Sequence, residues 1–137
     1  MESSPEHMPH LPVCSFFVAI FSIALIGLSV PVSLRRVKIG DMIGDSPDQL
    51  LHRRIRAQGN FIEYVPLSLI GLVLTEIETA SPWPALSIGI ALVCGRVFHV
   101  IGMYGNYAPL RGFGMVLTYL SLVLTALFLS GAMLGFM

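Results

Sequence analysis

The sequence contains very few charged residues. They make up 12% of its 137 residues, whereas apolar residues make up 55%. A soluble domain carries roughly 25% charged residues, and the mean hydropathy of this chain is +0.80. Too few polar side chains are present to cover a surface that faces water, so the composition excludes a soluble globular fold.

Basic charge is equally scarce. Eight Lys and Arg residues are balanced by eight Asp and Glu residues, and the net charge is zero. A protein that binds nucleic acid needs a concentrated basic patch to neutralise phosphates. We therefore expect no nucleic-acid partner.

Cysteine is nearly absent. Cys14 and Cys94 are the two cysteines, and they lie far apart in apolar stretches. Their positions match neither a zinc-binding nor a redox spacing, and His7, His10 and His52 have no metal-ligand spacing with a suitable partner. The sequence predicts no metal site, and it favours both cysteines as buried packing residues.

Long apolar stretches are the main feature that is present. An α-helix needs about 20 apolar residues to cross a bilayer, and four stretches meet this length: 13–34, 57–77, 84–104 and 112–136. The sequence therefore predicts an all-α integral membrane four-helix bundle that forms one domain over residues 1–137. The first stretch is interpreted as a retained span, because no basic residue precedes it as in a signal peptide.

The loops between the spans carry the basic residues. The predicted loops are 35–56 and 105–111, and they contain seven of the eight basic residues. The positive-inside rule places such loops in the cytosol, so both termini should lie outside. Ser46 and Pro47 resemble a helix start, which predicts one helix from about Pro47 to Ile77. A bacterial inner membrane and an endoplasmic reticulum membrane both remain open as the location.

Two of the predicted helices place polar residues on one face. Residues three or four positions apart lie on the same face of a helix. Such spacings relate Arg53, Arg56, Asn60 and Glu63 in the second helix, and Arg96, His99 and Met103 in the third. An ionised side chain at bilayer depth costs about 2.5–3.5 kcal/mol. These faces must therefore point at protein or water.

The polar residues allow two interpretations. Glu63 and Arg96 are expected at similar depths on antiparallel helices, where they would form a structural ion pair. The alternative is a cytosol-facing site for an anionic ligand, surrounded by Arg35, Arg36, Arg53, Arg56 and Arg111. Guanidinium groups bind carboxylates in bidentate fashion, while Glu63 and Asn60 would receive an ammonium and an amide. His99 is a candidate acid or base, or an interhelical hydrogen-bonding residue.

The start of the second helix resembles a known family. The motif R-x-x-R-A-x-x-N-x-x-E-x-x-P is matched at every fixed position between Arg53 and Pro66. This motif is similar to the second-helix signature of the MAPEG family, the membrane-associated proteins in eicosanoid and glutathione metabolism. The family includes microsomal glutathione transferases and leukotriene C4 synthase. Ser33-Leu34-Arg35-Arg36 also resembles the arginines at the end of the family's first helix.

The resemblance implies a homotrimer that binds glutathione, as co-substrate, between neighbouring subunits at the cytosolic end. Carried over by position, the glutathione-binding residues would be Arg35, Arg36, Arg53, Arg56, Asn60, Glu63 and Tyr64. His99 and Tyr104 lie near the place where family enzymes have tyrosines, and they would take the place of those tyrosines in binding glutathione. Arg111 would be the catalytic arginine beside the glutathione sulfur, where a cation favours the thiolate that acts as nucleophile.

These observations give two hypotheses about function. The first is a glutathione-dependent enzyme, either a transferase acting on lipophilic electrophiles from the bilayer or a peroxidase reducing lipid hydroperoxides. The second is a non-catalytic membrane module that binds lipid or an anionic metabolite with the same residues. A transporter or channel ranks last, because the sequence has neither an internal repeat nor a continuous polar path.

Overall fold

A computed structural model describes residues 11–44 and 46–136 of the chain. It contains four helices: α1 (Pro12–Ile39), α2 (Gln49–Glu78), α3 (Trp83–Tyr104) and α4 (Ala108–Met133). No strand occurs in these two ranges. The predicted all-α four-helix fold is therefore confirmed. The N-terminal tail with His7 and His10 lies outside the described residues, as do residues 45 and 137.

All four helices are long and apolar enough to cross a membrane. They contain between 22 and 30 residues, which exceeds the length that the hydrocarbon core requires. α4 begins at Ala108 rather than near 112 as predicted, because Pro109 occupies its first turn, where a missing N–H has no cost. The predicted loop 105–111 is thus shortened to a tight link, and Arg111 belongs to the first turns of α4.

The junction between α1 and α2 depends on Asp48. Ser46 was the expected cap, but Asp48 is the residue whose carboxylate accepts a hydrogen bond from the backbone N–H of Leu51, at 2.7 Å. The same carboxylate accepts two hydrogen bonds from the guanidinium of Arg35, at 3.1 and 2.6 Å. The end of α1 is therefore fixed against the start of α2.

The start of α1 is capped by a different helix. Leu11 precedes the helix and supplies no side-chain cap. Instead, the carboxylate of Glu76, near the end of α2, accepts hydrogen bonds from the backbone N–H groups of Val13 at 2.9 Å and Cys14 at 2.6 Å. Two of the unpaired donors that every helix leaves at its N-terminus are thereby satisfied within the bundle.

α3 and α4 approach each other through small residues. A Cβ atom added to Gly95 would lie 2.8 Å from the Thr118 hydroxyl and 2.9 Å from the Gly114 carbonyl oxygen. Such close backbone approach is typical of helix packing in membranes. This close packing places the first half of α4 against the second half of α3. The polar side chain of Asn60 of α2 contacts the same part of α3.

The prediction for the cysteines is correct for one of them. Cys14 is buried, but Cys94 is exposed. Cys94 lies on the outer face of α3, which it shares with exposed Ile90, Val97 and Ile101. An apolar neighbourhood in the sequence could not distinguish this face from the packed one, because both are apolar in a membrane protein.

Candidate functional site

A cavity of about 590 Å³ lies between α2, α3 and α4. Sites for small molecules commonly measure about 300–1,000 Å³. We refer to it as the polar cavity, and its lining residues are Ile55, Arg56, Gly59, Asn60, Glu63 and Tyr64 of α2, His99 and Met103 of α3, and Ala108, Arg111, Gly112, Met115 and Tyr119 of α4. It extends from the end of the bundle at which α2 and α4 begin toward the middle of the helices.

Six of the residues singled out from the sequence line the polar cavity together. They are Arg56, Asn60, Glu63, Tyr64, His99 and Arg111. In α2, Arg56, Asn60 and Glu63 follow one another at spacings of four and three, and Tyr64 lies next to Glu63, so one side of α2 forms a wall. α3 and α4 add one each, on the opposite side.

Four other candidate residues do not line the polar cavity. Arg35 is held by Asp48, and Arg36 donates to the backbone oxygens of Asp41 and Gly44, at 3.2 and 3.0 Å. The Nε of Arg53 donates to the backbone oxygen of Gln49, at 3.3 Å, and Tyr104 lies near the end of α3, away from the cavity wall. Within a single chain, Arg35, Arg36 and Arg53 therefore hold loops and helix ends.

The predicted ion pair between Glu63 and Arg96 is wrong. Within residues 11–44 and 46–136, the one ion pair joins Arg35 to Asp48. Glu63 is exposed on the open side of α2, whereas Arg96 is buried. The two residues do lie on neighbouring helices, but Glu63 lines the polar cavity and Arg96 does not.

Arg96 instead connects three helices through neutral partners. Its Nη1 donates to the side-chain oxygen of Asn60 on α2, at 2.5 Å. Its Nη2 donates to the hydroxyl of Thr118 on α4 and contacts the sulfur of Met115, at 3.7 Å. The guanidinium carbon also lies 5.8 Å from the centroid of the Tyr64 ring, a distance at which a cation interacts with an aromatic face.

His99 is almost fully buried, with 4% of its surface exposed. Its Nδ1 has no hydrogen-bond partner in the described part of the chain. The interhelical hydrogen bond expected there is therefore not formed at Nδ1. A buried polar atom without a partner is uncommon in proteins, and this one belongs to a residue of the cavity wall.

Arg111 reaches the cavity because α3 lacks a side chain opposite it. A Cβ atom added to Gly102 would lie 2.8 Å from the Cα of Arg111. The Arg111 guanidinium is exposed, and its Nη1 lies 3.9 Å from the sulfur of Met103. Arg56 and Arg111 thus contribute two cations to the lining, against the single carboxylate of Glu63.

Tyr119 and Met115 were missed as cavity residues. Together with Arg111 they occupy every fourth position of α4, so they share the face that lines the cavity. The centroids of the Tyr119 and Tyr64 rings are 5.8 Å apart in an edge-to-face arrangement. The spacing relates these two residues to Arg111, but no feature of the sequence indicates that this face of α4 lines a cavity.

The described residues contain no group of three or more His, Cys, Asp or Glu side chains that could hold a metal ion. The lining of the polar cavity offers hydrogen-bonding groups and charge. Its cations favour a ligand with acidic groups, and the single carboxylate favours one that also carries an ammonium.

The helices and the cavity define a multi-pass integral membrane protein with a polar site at one end of its bundle. The model of the MAPEG family matches residues 12–131, so the chain belongs to the MAPEG family. It is similar to the inner membrane protein YecN of Escherichia coli strain K12, with 28% identity over 115 residues, covering 84% of this chain and 88% of that protein.

The protein of the same name in Escherichia coli O6:H1 matches with the same identity and coverage. Neither name states a ligand or a reaction. No solved structure is significantly similar to the chain.

Proposed function

We propose that this protein is a glutathione-dependent membrane enzyme, either a transferase for lipophilic electrophiles or a peroxidase for lipid hydroperoxides. One observation supports this most directly: three of the four fixed polar residues of the family motif on α2, Arg56, Asn60 and Glu63, line the same cavity as Arg111 of α4. Membership of a family that includes glutathione-related enzymes supports the same ligand.

The charges of the polar cavity suit glutathione. Arg56 would bind a carboxylate through two of its N–H groups, and Glu63 would accept hydrogen bonds from the ammonium of the glutamyl residue. Asn60 and Tyr64 line the same cavity, and their amide and hydroxyl would hydrogen-bond to the peptide groups. A tripeptide with two carboxylates, one ammonium and two peptide bonds offers a partner to each of these groups.

Arg111 would supply the chemistry. A guanidinium beside the thiol favours the thiolate, which is the reactive nucleophile. In a transferase, the thiolate sulfur attacks the electrophilic carbon, a C–S bond forms, and the leaving group departs or the product takes up a proton. In a peroxidase, the sulfur attacks the hydroperoxide and the O–O bond breaks. An alcohol leaves, and a second glutathione then yields water and glutathione disulfide.

The polar cavity is open on the side of Glu63, which is exposed in the single chain. A charged side chain facing lipid is costly, so we propose that another copy of this chain covers that side in a homotrimer. Arg35 and Arg36 of a neighbouring copy are the residues expected to complete the glutathione site. Membrane lipid would surround the trimer, and the lipophilic substrate would enter from it.

The name of the Escherichia coli relative favours a bacterial inner membrane over an endoplasmic reticulum membrane. We further propose that the end of the bundle with the polar cavity faces the cytosol, because that end carries the basic residues. Glutathione would then enter from the cytosol, and the second substrate from the bilayer.

Binding of glutathione to the detergent-purified protein, measured by isothermal titration calorimetry, tests the proposal. Arg56→Ala and Glu63→Gln should each weaken binding by about tenfold or more, because each removes a charge-assisted hydrogen bond. Lys38→Ala and Glu78→Gln are matched controls, since both residues are exposed and absent from the cavity lining. A wild-type protein that does not bind at millimolar glutathione would contradict the proposal.

Formation of a glutathione thiolate in the polar cavity would distinguish an enzyme from a non-catalytic binding module. Adding glutathione to the wild-type protein should produce the ultraviolet absorbance of a thiolate, and Arg111→Ala should abolish this signal while Arg111→Lys retains part of it. Turnover of a chloronitroaromatic compound or a lipid hydroperoxide should likewise be highest in the wild-type protein, lower in Arg111→Lys and lost in Arg111→Ala. Glutathione binding without thiolate absorbance or turnover would favour the binding module.

A further inference from the structure

We infer that Arg96 is a positioning residue that orients the side chain of Asn60, so that Asn60 presents N–H donors to a ligand in the polar cavity. The ligand must then offer a carboxylate or carbonyl oxygen at that point. The orientation depends only on the contacts of Arg96; that the ligand is glutathione rests on the proposed function.

Arg96 acts from behind the cavity wall. It is 4% exposed and does not line the polar cavity. It lines a separate apolar cavity of about 300 Å³ between α1 and α3. From there its guanidinium reaches Asn60 and Thr118, so any influence on a ligand passes through the residues that it holds.

The contacts with Asn60 are directional. Nη1 of Arg96 lies 2.5 Å from the side-chain oxygen of Asn60 and 3.4 Å from its backbone oxygen. Nη2 donates to Thr118, whose hydroxyl donates in turn to the backbone oxygen of Gly114, at 2.9 Å. The guanidinium is thus held between α2 and α4, and it cannot rotate away without losing partners on both.

The chemistry of arginine fixes which end of the amide faces it. A guanidinium has five N–H donors and no acceptor, so the Asn60 atom against it must be the oxygen. The two ends of an asparagine amide can be told apart only by such a partner. The amide nitrogen therefore points away from Arg96, and no acceptor within residues 11–44 and 46–136 takes up its hydrogens. Because Asn60 lines the polar cavity, these N–H groups are available to a ligand in that cavity.

This orientation defines the ligand more closely than the residue types do. Asparagine alone could accept from an ammonium or donate to an oxygen. With its oxygen turned to Arg96, Asn60 offers its N–H donors to the cavity, and along α2 it falls between Arg56 and Glu63, which line the same cavity. A matching ligand carries its acidic group toward Arg56, an acceptor oxygen at Asn60, and its ammonium toward Glu63.

The charge of Arg96 strengthens the same preference. Among the described residues, no carboxylate pairs with it, and its partners Asn60, Thr118 and Met115 are neutral. A positive charge behind the wall polarises the Asn60 amide, because hydrogen bonds in series reinforce one another. The N–H groups that face the cavity become better donors to an anionic or carbonyl oxygen.

Asn60→Asp tests the donor directly. The substitution keeps an oxygen for Arg96 but replaces the N–H groups by a second oxygen, so the fold should be retained. Glutathione binding, measured by calorimetry, should weaken by at least about tenfold. Binding as tight as in the wild-type protein would overturn the inference.

A double-mutant cycle tests the positioning role. Arg96→Met should weaken glutathione binding by about tenfold, although the residue does not line the cavity. In combination with Asn60→Ala it should add little further loss, because both substitutions remove the same oriented amide. Arg96→Lys, which keeps one donor to the Asn60 oxygen, should restore part of the affinity. Fully additive losses of affinity would show that Arg96 does not act through Asn60.

Thermal unfolding separates this inference from the proposed function. Asn60→Asp should melt at or above the wild-type temperature, whereas Asn60→Leu, which has a similar shape and no acceptor, should melt below it. If the wild-type protein bound no glutathione, the proposed function would fail while this order of melting temperatures still supported the orientation. Equal destabilisation by both substitutions would overturn the orientation, whatever the ligand.

Discussion

At the scale of single residues, Asp48 is the group whose ionisation the structure most clearly controls. The guanidinium of Arg35 and the N–H of Leu51 donate to its carboxylate. These hydrogen bonds lower the pKa of Asp48 from 3.8 to about 2. A lowered pKa means that the folded state favours the ionised carboxylate more than the unfolded state does.

The contribution of Asp48 to stability should therefore depend on pH in a defined window. It is fully present above about pH 4 and is lost as the pH falls through the folded pKa of about 2. Asp48→Asn should lower the melting temperature by a few degrees near neutral pH, and the difference from wild type should shrink below pH 4. Melting curves across this range provide the measurement. Asp41→Asn, with the same charge change in the same loop, is the control, and a difference that persists unchanged at pH 2 would refute the assignment.

The residues of one helix face could be predicted, but their partners could not. Arg56, Asn60 and Glu63 were placed together because the helical repeat fixes their relation without any knowledge of the rest of the chain. The partner of Arg96 depends on how α4 is rotated, which brings Thr118 rather than a carboxylate to the guanidinium. Arg35 was predicted at the site because it lies at the same end of the bundle and because of the family resemblance, whereas in the single chain its guanidinium pairs with Asp48.

At the scale of helices, the start of α1 depends on α2. The carboxylate of Glu76 is the cap for two N–H groups of α1, and nothing in the α1 sequence could indicate it. Glu76→Ala should leave both donors unpaired and destabilise the fold by about 1–3 kcal/mol. Glu76→Gln should have a smaller effect, because one oxygen can still accept.

Thermal unfolding and amide hydrogen exchange at Val13 and Cys14 would measure this effect. Faster exchange at these two amides should accompany the loss of stability in Glu76→Ala. Glu78→Ala removes an exposed carboxylate from the last turn of α2 and should change neither quantity. Similar behaviour of the two alanine variants would show that Glu76 is not the cap.

The helices themselves followed from composition because a bilayer imposes a length on each span. Their ends were less accessible, because they depend on local capping. Pro109 allows α4 to begin at Ala108, and Asp48 rather than Ser46 caps α2. The first correction affects the candidate site, since it places Arg111 in α4 rather than in a loop.

At the scale of the whole molecule, the proposed homotrimer would cover the charged residues that the polar cavity exposes. Arg56 and Glu63 are exposed in the single chain, and a charge left against hydrocarbon would cost about 2.5–3.5 kcal/mol. We expect native mass spectrometry of the detergent-solubilised protein to give three copies of the chain. If the protein were monomeric in detergent and bound glutathione as tightly as it does in membranes, the polar cavity would not need another subunit as its cover.

The orientation of the bundle can be tested with one residue at each end. Ile43 is 90% exposed in the loop between α1 and α2, and Ala80 is exposed in the link between α2 and α3. Each is replaced by cysteine in a Cys94→Ala background, which removes the exposed native thiol while Cys14 stays buried.

The positive-inside rule predicts opposite labelling of the two variants. A membrane-impermeant maleimide should label Ala80→Cys in intact spheroplasts, and Ile43→Cys only in inverted membrane vesicles. The background protein with neither cysteine is the control for labelling of Cys14. The reverse pattern would place the polar cavity at the outer end of the bundle, where it could not take up glutathione from the cytosol, and would thus contradict the proposed route of the co-substrate.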